Sequence, residues 1–376
     1  MSSRKLQTGS DSMRAAFRKR VLAWYDEHAR DLPWRALPRA TRPSDPYRVW
    51  LSEIMLQQTR VAAVIAHYHE FLRRFPTVEK LARAREASVL AAWSGLGYYR
   101  RARMLHAAAK VVARELGGKF PETADGLRAL PGVGRYTAAA IASIAFGEPV
   151  AVVDGNVERA LQRVAGQRLA AEDFWVAAEK LLDRGRPGDF NQAMMELGAT
   201  VCTPRDPACL TCPVVELCAT RGEMAGRAKA ERQKKREIHY ALDTRDGAVF
   251  LVQRARDARL MAGMWELPEI PSGAKAPSNR AGAIAALRAL RHPKANREAN
   301  HGDSAKSCLS LKHSITVTDY TVQVWHMAAS SRVEGKWIPV EKLAGVALTG
   351  LARKILRSAG IMAASLTATR SSSDLR

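Results

Sequence analysis

The chain has 376 residues, more than a single hydrophobic core usually organises, so we expect two domains. It carries 59 lysine and arginine residues against 37 aspartate and glutamate residues, and the formal net charge of +22 favours a nucleic-acid partner. No apolar run reaches the ~18–20 residues that a membrane span needs, and the polar, basic N-terminal segment lacks the apolar core of a secretory signal. These features exclude a membrane-spanning protein and predict a cytoplasmic location.

Helical periodicity dominates the chain from about residue 17 to residue 218, with little strand-like alternation. A helix is predicted over residues 46–56, because Asp45 can cap its free amide groups and a proline suits its first turn. Further helices are predicted over residues 100–116 and, in an almost wholly apolar stretch, over residues 138–146. This part of the chain is therefore predicted to be mainly α-helical.

Glu53 lies within the first of these helices, about one turn from Val49 and from Leu56, so it shares a face with apolar side chains. Most glutamates on helices are simply surface residues. A carboxyl group that is desolvated by apolar neighbours has a raised pKa and keeps its proton near neutral pH. Glu53 is therefore a candidate general acid.

Two glycines, Gly132 and Gly134, stand two residues apart just before the apolar helix. Without Cβ atoms the turn can adopt positive φ, and the amide groups at the start of the helix can face a phosphate. A glycine-rich turn between helices is, by itself, only a connection. Further along, Asp154 emerges from an apolar run beside Gly155, where capping the next helix is the commoner role for an aspartate.

Four cysteines within seventeen residues have the spacing C-x6-C-x2-C-x5-C, and they are Cys202, Cys209, Cys212 and Cys218. Four thiolates so close in sequence can surround one soft metal centre, which is either a zinc ion or an iron–sulfur cluster. In a chain without an export signal this grouping favours metal binding over a set of disulfides.

After the last of these cysteines the composition changes to a charged run without apolar periodicity, which predicts a linker. Strand-like segments over residues 248–252, 320–325 and 336–340, with a helix around residues 351–356, predict a small α+β domain. The predicted organisation, in chain order, is a disordered tail (1–14), a helical domain (15–222) with a metal loop (202–218), a basic linker (223–237), an α+β domain (238–362) and a disordered tail (363–376).

Three of these motifs together resemble the helix-hairpin-helix DNA glycosylases of the endonuclease III and MutY type. The motifs are Leu51–Thr59, Leu130–Tyr136 and the four-cysteine loop. The resemblance implies a [4Fe–4S] cluster in the loop, with a monovalent cation at the hairpin. It also implies a nucleoid-associated bacterial enzyme that acts on double-stranded DNA as a monomer. The second domain resembles the MutT/Nudix-like domain of MutY-type adenine glycosylases, without a box of clustered glutamates for nucleotide hydrolysis.

In the family, the residue that matches Glu53 protonates adenine, and the residue that matches Asp154 stabilises the positive charge that develops on the sugar. Asn156 matches a position that hydrogen-bonds within this group. Tyr136 stands where endonuclease III-type enzymes carry a lysine that forms a Schiff base with the sugar. Because tyrosine cannot form that intermediate, the resemblance implies a monofunctional enzyme that leaves an abasic site.

Further residues of this chain match functional positions of the family within the same kinds of motif. Gln57, Gln58 and Tyr98 match residues that enter the duplex near the lesion, where they offset the stacking lost when a base is turned out. Arg35 and Gln192 match the adenine pocket. The resemblance thus implies excision of adenine mispaired with 8-oxoguanine or guanine.

The hairpin that reads the partner base in the family is usually Phe-Ser-His, and the matching stretch here is Ile315-Thr316-Val317. Thr316 can still donate a hydrogen bond, whereas a valine cannot replace the histidine. Two alternatives to adenine excision stay open at this point. One is a related thymine or oxidised-pyrimidine glycosylase, and the other is a non-catalytic DNA-binding protein that uses the cluster as a redox sensor.

Overall fold

The computed structural model describes residues 10–35, 44–224, 234–258, 260–270, 306–315, 318–329 and 333–363. The chain forms two compact units. The first comprises Met1–Arg83 and Met104–Ala228, and the second comprises Ala84–Arg103 and Lys229–Arg376. Among the described residues, every helix is too short or too polar to cross a bilayer.

Residues 10–224 are helical, as their periodicity predicts. Their α-helices, in chain order, are α1 (Asp11–His28), α2 (Pro46–Leu56), α3 (Val61–Arg74), α4 (Val78–Arg83), α5 (Glu86–Trp93), α6 (Arg100–Arg114), α7 (Ala124–Arg128), α8 (Arg135–Phe146), α9 (Gly155–Ala165), α10 (Ala171–Leu181) and α11 (Pro187–Thr200).

Helix α2 begins where the sequence predicts. The Asp45 side chain accepts a hydrogen bond from the Tyr47 amide (2.9 Å), and Pro46 occupies the first turn. Helix α8 is longer than predicted, because it begins at Arg135, directly after the hairpin, and it ends at Gly147 in the left-handed conformation (φ 73°). Both helices are largely buried, and they pack against each other.

The core that carries the start of α9 is formed by α1, α9, α10 and α11. Large side chains such as Phe17, Leu161 and Phe174 are buried in it. Helix α11 lies so close to the start of α9 that a Cβ atom at Gly198 would stand 2.5 Å from the Cβ atom of Asn156. A glycine at this position therefore allows the close approach of the two helices.

The second unit contains a sheet-bearing α+β region, as predicted. Its strands and last helix are β1 (Lys234–Leu242), β2 (Thr244–Arg245), β3 (Ala248–Gln253), β4 (Trp265–Glu266), β5 (Glu269–Ile270), β6 (Lys306–Ile315), β7 (Thr318–His326), β8 (Lys336–Pro339) and α12 (Gly350–Ser358). One sheet has the order β5-β1-β7-β6, with β1 and β7 parallel and the other pairs antiparallel. In the other sheet, β3 pairs with β2, β4 and β8.

The start of the first strand differs from the sequence prediction. Strand β1 begins at Lys234, inside the segment 223–237 predicted as a linker, because β7 supplies backbone partners from the pair Lys234↔Thr318 onward. Its first side chains are exposed, so their charge is compatible with strand structure. Of the predicted segments, residues 1–9, 225–233 and 364–376 lie outside the described residues, as does most of the polar stretch before β6.

The segment Ala84–Arg103 belongs to the second unit, although its sequence is helical and lies within the predicted first domain. The Tyr99 hydroxyl donates to the carbonyl of Leu348 (3.1 Å), and Arg353 of α12 donates to the Ser94 hydroxyl (2.7 Å). The two bonds join residues that are 249 and 259 positions apart in the sequence. Local periodicity carries no information about such contacts.

The hairpin gives a prediction about stability. Gly132 has φ 76°, and an added Cβ would lie 2.4 Å from the Cβ of Met104, whereas a Cβ on Gly134 would meet nothing within 4 Å. Gly134 has φ −88°, which any residue adopts. We expect Gly132→Ala to lower the free energy of unfolding by about 1–3 kcal/mol, and Gly134→Ala, at the N-cap of α8, to lower it by less. Urea unfolding of both variants tests this, and equal losses would contradict it.

Candidate active site

The carboxyl group of Glu53 is buried, with only 7% of the residue exposed. Helix α2 carries it against α8, from which the Tyr136 hydroxyl donates a hydrogen bond of 2.7 Å to Glu53 Oε2. The same hydroxyl lies 3.3 Å from Met195 Sδ on α11. The Tyr136 hydroxyl thus lies between the buried Glu53 carboxyl group and the sulfur atom of Met195.

The pKa of Glu53 is raised to about 7, chiefly because burial penalises the ionised form. The nearby charge of Asp154 raises it further, while the hydrogen bond from Tyr136 and the charge of Arg35 lower it. A carboxyl group with this pKa is about half protonated at neutral pH, so it can donate a proton there. Burial and the carboxylates also raise the pKa of Tyr136 well above its ordinary value, so its hydroxyl stays protonated.

Asp154 caps α9 and is held by three donors. Its Oδ1 accepts from the amides of Asn156 (2.9 Å) and Val157 (2.8 Å), and its Oδ2 accepts from Asn156 Nδ2 (2.9 Å). Burial raises the pKa of Asp154, although these hydrogen bonds oppose the rise. The capping role is therefore real, and it also fixes the orientation of a carboxylate at the edge of a cavity.

One cavity of about 360 Å³ brings most of the predicted site residues together, and its size is within the ~300–1,000 Å³ range of small-ligand sites. The predicted residues that line it are Glu53, Asp154, Tyr136, Asn156, Arg35, Gln57, Gln58 and Gln192. All of them lie in the first unit. A carboxylic acid, a fixed carboxylate and several amide and guanidinium donors thus converge on one space that can hold a nucleobase.

A buried ion-pair group borders this cavity and was missed in the sequence. Glu196 of α11 accepts from Arg30 Nη2 (2.9 Å) and Arg35 Nη2 (3.0 Å), and it also pairs with Arg30 Nε. Burial works to raise the pKa of Glu196, but the two arginines outweigh it, and the pKa lies below its ordinary value. The same signal that identifies Glu53, a carboxylate within an apolar helix, would have identified Glu196.

Arg35 is almost fully buried, and its guanidinium lies 5.4 Å from the centre of the Tyr25 ring. Gln57 Nε2 donates to Thr137 Oγ1 (3.3 Å), whereas Gln58 is exposed and has φ 55°. A positive φ at a residue other than glycine is uncommon, so this backbone conformation depends on the surrounding structure.

The remaining predicted residues lie elsewhere. In the hairpin, the Val133 amide donates to the carbonyl of Leu130 (3.1 Å), and Gly134 precedes the first turn of α8. Tyr98 belongs to the second unit, where its side chain is 52% exposed. Thr316 lies outside the described residues.

The four cysteines are free thiols that line one small cavity next to α9 and α11. Arg163 is buried beside them, and its Nη1 lies 3.3 Å from Cys202 Sγ. Burial, with the neighbouring thiols, raises the pKa of Cys212. Among the described residues, no group of three or more His, Cys, Asp or Glu side chains is arranged to hold a single metal ion. The four cysteines nevertheless line one shared space beside α9 and α11.

Arg159 connects the cysteine loop to the Asp154 region. Its Nε donates to the carbonyl of Cys202 (2.7 Å), and its Nη2 donates to Asn156 Oδ1 (2.7 Å) and the carbonyl of Gly198 (2.6 Å). Asn156 in turn donates to Asp154. The start of the loop and the carboxylate are thus joined by a continuous path of hydrogen bonds.

Comparisons with known proteins show the family to which the chain belongs. The model of the HhH-GPD superfamily of base excision DNA repair proteins matches residues 51–173. The adenine DNA glycosylase of Mus musculus is 44% identical over an alignment of 312 residues that covers 68% of this chain and 60% of that protein. The adenine DNA glycosylase of Homo sapiens is 36% identical over an alignment of 407 residues that covers 91% of this chain and 73% of that protein.

Among solved structures, a thermostable thymine-DNA glycosylase matches with a TM-score of 0.51 and 32% identity, over 56% of this chain and 97% of that one. The match to it covers a smaller share of this chain than either match to an adenine DNA glycosylase. The chain belongs to the adenine DNA glycosylase family, within the HhH-GPD superfamily of base excision DNA repair proteins.

Proposed function

We propose that this protein is a monofunctional DNA glycosylase that removes adenine mispaired with 8-oxoguanine or guanine and leaves an abasic site. The observation that carries the proposal is the buried Glu53 carboxyl group, with its pKa of about 7, in a cavity that Asp154 also lines. Rupture of an N-glycosidic bond needs a proton on the departing base and a negative charge near the sugar. Glu53 supplies the first and Asp154 the second.

Tyr136 supports the monofunctional assignment. Its hydroxyl stays protonated and hydrogen-bonds to Glu53, so it positions the acid and cannot attack the sugar as an amine would. In the described part of the chain, the residues that line the cavity include no lysine. The amine that a Schiff-base mechanism requires is therefore missing from this lining.

Arg30, Arg35, Glu196 and Gln192 support binding of the base. All four residues line the cavity, and both arginines are hydrogen-bonded to Glu196. Buried polar groups of fixed orientation favour a ligand that matches their donors and acceptors. A purine with ring nitrogens and an exocyclic amine is such a ligand.

The remaining assignments concern DNA. The hairpin around Gly132 and Gly134 would hold a backbone phosphate, with a monovalent cation at its carbonyl groups. The second unit, with Thr316, would read the base opposite the adenine. We place the enzyme on chromosomal DNA in the cytoplasm, where it acts as a monomer, and the net charge of +22 fits that partner.

Cys202, Cys209, Cys212 and Cys218 would hold a [4Fe–4S] cluster. Four thiols that line one cavity can hold one soft metal centre, and their C-x6-C-x2-C-x5-C spacing resembles the cluster loop of the endonuclease III and MutY type. When bound, the cluster would supply a rigid closure of the loop. Arg163 beside Cys202 would donate a hydrogen bond to the sulfur and offset the negative charge of the thiolates.

The substrate assignment is tested by single-turnover assays on duplexes that hold adenine opposite 8-oxoguanine, guanine, thymine or cytosine, and on one that holds thymine opposite guanine. We expect free adenine from the first two and an intact strand until base is added. Glu53→Gln should lower the rate of release by at least ~100-fold and keep DNA binding, because the amide cannot donate the acid's proton. Release of thymine from a thymine–guanine duplex instead would contradict the proposal.

Two controls accompany Glu53→Gln. Glu158→Gln, which changes an exposed glutamate on α9, should leave the rate unchanged.

Thermal unfolding of Glu53→Gln tests whether the variant folds. The pKa of Glu53 rises from 4.5 to about 7 on folding. The contribution of this carboxyl group to the stability of the folded state is therefore complete below pH 4.5 and is lost as the pH rises through 7. At pH 8 the variant should therefore be more stable than wild type, by up to about 3 kcal/mol, and the difference should vanish at low pH.

The pH profile of base release gives a further prediction. At sub-saturating enzyme the rate should fall above a midpoint near pH 7, since Glu53 loses its proton there. Tyr136→Phe removes a hydrogen bond that lowers this pKa, so the midpoint should move to higher pH while the maximal rate falls. A midpoint that stays in place, or moves to lower pH, would show that another group titrates.

Metal analysis tests the cluster. The purified protein should contain iron and acid-labile sulfide with visible absorption, and Cys212→Ser should lose them, because one of four ligands is missing. Cys308→Ser is the matched control and should keep the iron content of wild type. Stoichiometric zinc in place of iron, in protein purified without added metal, would overturn this assignment.

A further inference from the structure

The guanidinium group of Arg101, at the start of α6, lies between two aromatic rings. Its central carbon is 5.4 Å from the centre of the Trp93 ring and 5.5 Å from that of Tyr98. Its Nη2 donates to the carbonyls of Leu96 (3.0 Å) and Gly97 (3.3 Å). Arg101 thus joins the end of α5, the intervening loop and Tyr98 in one arrangement within the second unit.

The loop that Arg101 holds has an unusual backbone. Tyr98 has φ 47°, a value that a residue with a bulky side chain rarely adopts, and Gly95 and Gly97 are also in the positive-φ region. Trp93 Nε1 donates to the Gly97 carbonyl (3.1 Å), which is the same acceptor that Arg101 uses. Such a conformation persists only where the surrounding contacts determine it.

Two adjacent tyrosines in this loop have opposite surroundings. Tyr99 is buried, with its hydroxyl bonded to the Leu348 carbonyl, whereas 52% of Tyr98 is exposed. An exposed aromatic ring on a strained backbone is poorly explained by packing. Its contact with Arg101 lies on one side, and its exposed surface is open to stack on another planar group, such as a base.

The surroundings of Arg101 also indicate how it acts. Burial lowers the pKa of its guanidinium to about 10, which shows that it is poorly solvated, and its donors point at loop carbonyls. A side chain that binds DNA phosphates is normally well hydrated and extends into solvent. The neighbouring Arg100 is exposed and fits that description better.

We propose that Arg101 is a positioning residue that holds the Tyr98 ring ready to enter the duplex when the target base is turned out. Planarity is essential, because a flat cation can stack against two rings and still donate in its own plane to carbonyls. The inference rests on the proposed function, since it concerns how the base reaches the cavity.

The test compares Arg101→Met with Arg100→Met, which removes the same charge from the next residue. Base turning is followed by stopped-flow fluorescence of 2-aminopurine in place of the target adenine. Excision is measured on adenine opposite 8-oxoguanine and on adenine opposite an abasic-site analogue, where it is less well stacked. Arg101→Met should slow both turning and excision of the paired adenine by about tenfold, and the loss should be much smaller on the second duplex.

Arg100→Met should leave the ratio of the two excision rates unchanged. Arg101→Lys should fail to restore the rate, since an ammonium group is not planar. In a Tyr98→Ala background, Arg101→Met should add little, because both changes remove the same contribution.

Equal losses on both duplexes, or an additive effect in the Tyr98→Ala background, would assign Arg101 to general folding or DNA binding and overturn the inference. If wild type releases no adenine, the proposed function itself fails. If wild type releases adenine and the Arg101 and Arg100 variants behave alike, only the role of Arg101 is wrong.

Discussion

The burial of the Glu53 carboxyl group is the constraint on which the rest of the first unit depends. An ionised carboxylate removed from water is costly, so the site must supply either a proton or compensating donors. The structure supplies limited compensation, with one hydrogen bond from Tyr136 and a more distant charge on Arg35. Additional hydrogen-bond donors would lower the pKa of Glu53, and the group would then not hold a proton at neutral pH. Helices α2 and α8 must therefore enclose Glu53 closely while leaving it poorly solvated.

Glu196, on the same cavity, shows the opposite solution. It is also buried, but two arginines bond to it and its pKa is lowered, so it stays ionised. Asp154 is held by amide donors at the start of α9. Three carboxyl groups on one cavity thus have different environments because they have different numbers of donors. The acid is the one with the fewest.

Local sequence patterns predicted many of the helices and site residues, and they failed where long-range contacts determine the structure. The start of α2 follows from Asp45 and Pro46, and the burial of Glu53 follows from its position among apolar residues of that helix. Glu196 meets Arg30 across 166 positions of sequence, a pairing that no local pattern indicates. Likewise, Ala84–Arg103 is helical by sequence but packs with the second unit through partners beyond residue 340. Strand β1 extends into a charged run because β7 offers it a backbone partner.

The hydrogen bonds of Arg159, together with the close contact at Gly198, connect the cysteine loop to the active site. Arg159 donates to Cys202, Gly198 and Asn156 from one planar group, so their relative positions are fixed together. Asn156 then sets the second oxygen of Asp154. Arg159 therefore connects the loop to the Asn156 side chain, while the backbone amides of Asn156 and Val157 hold the other oxygen of Asp154 without contacting the loop.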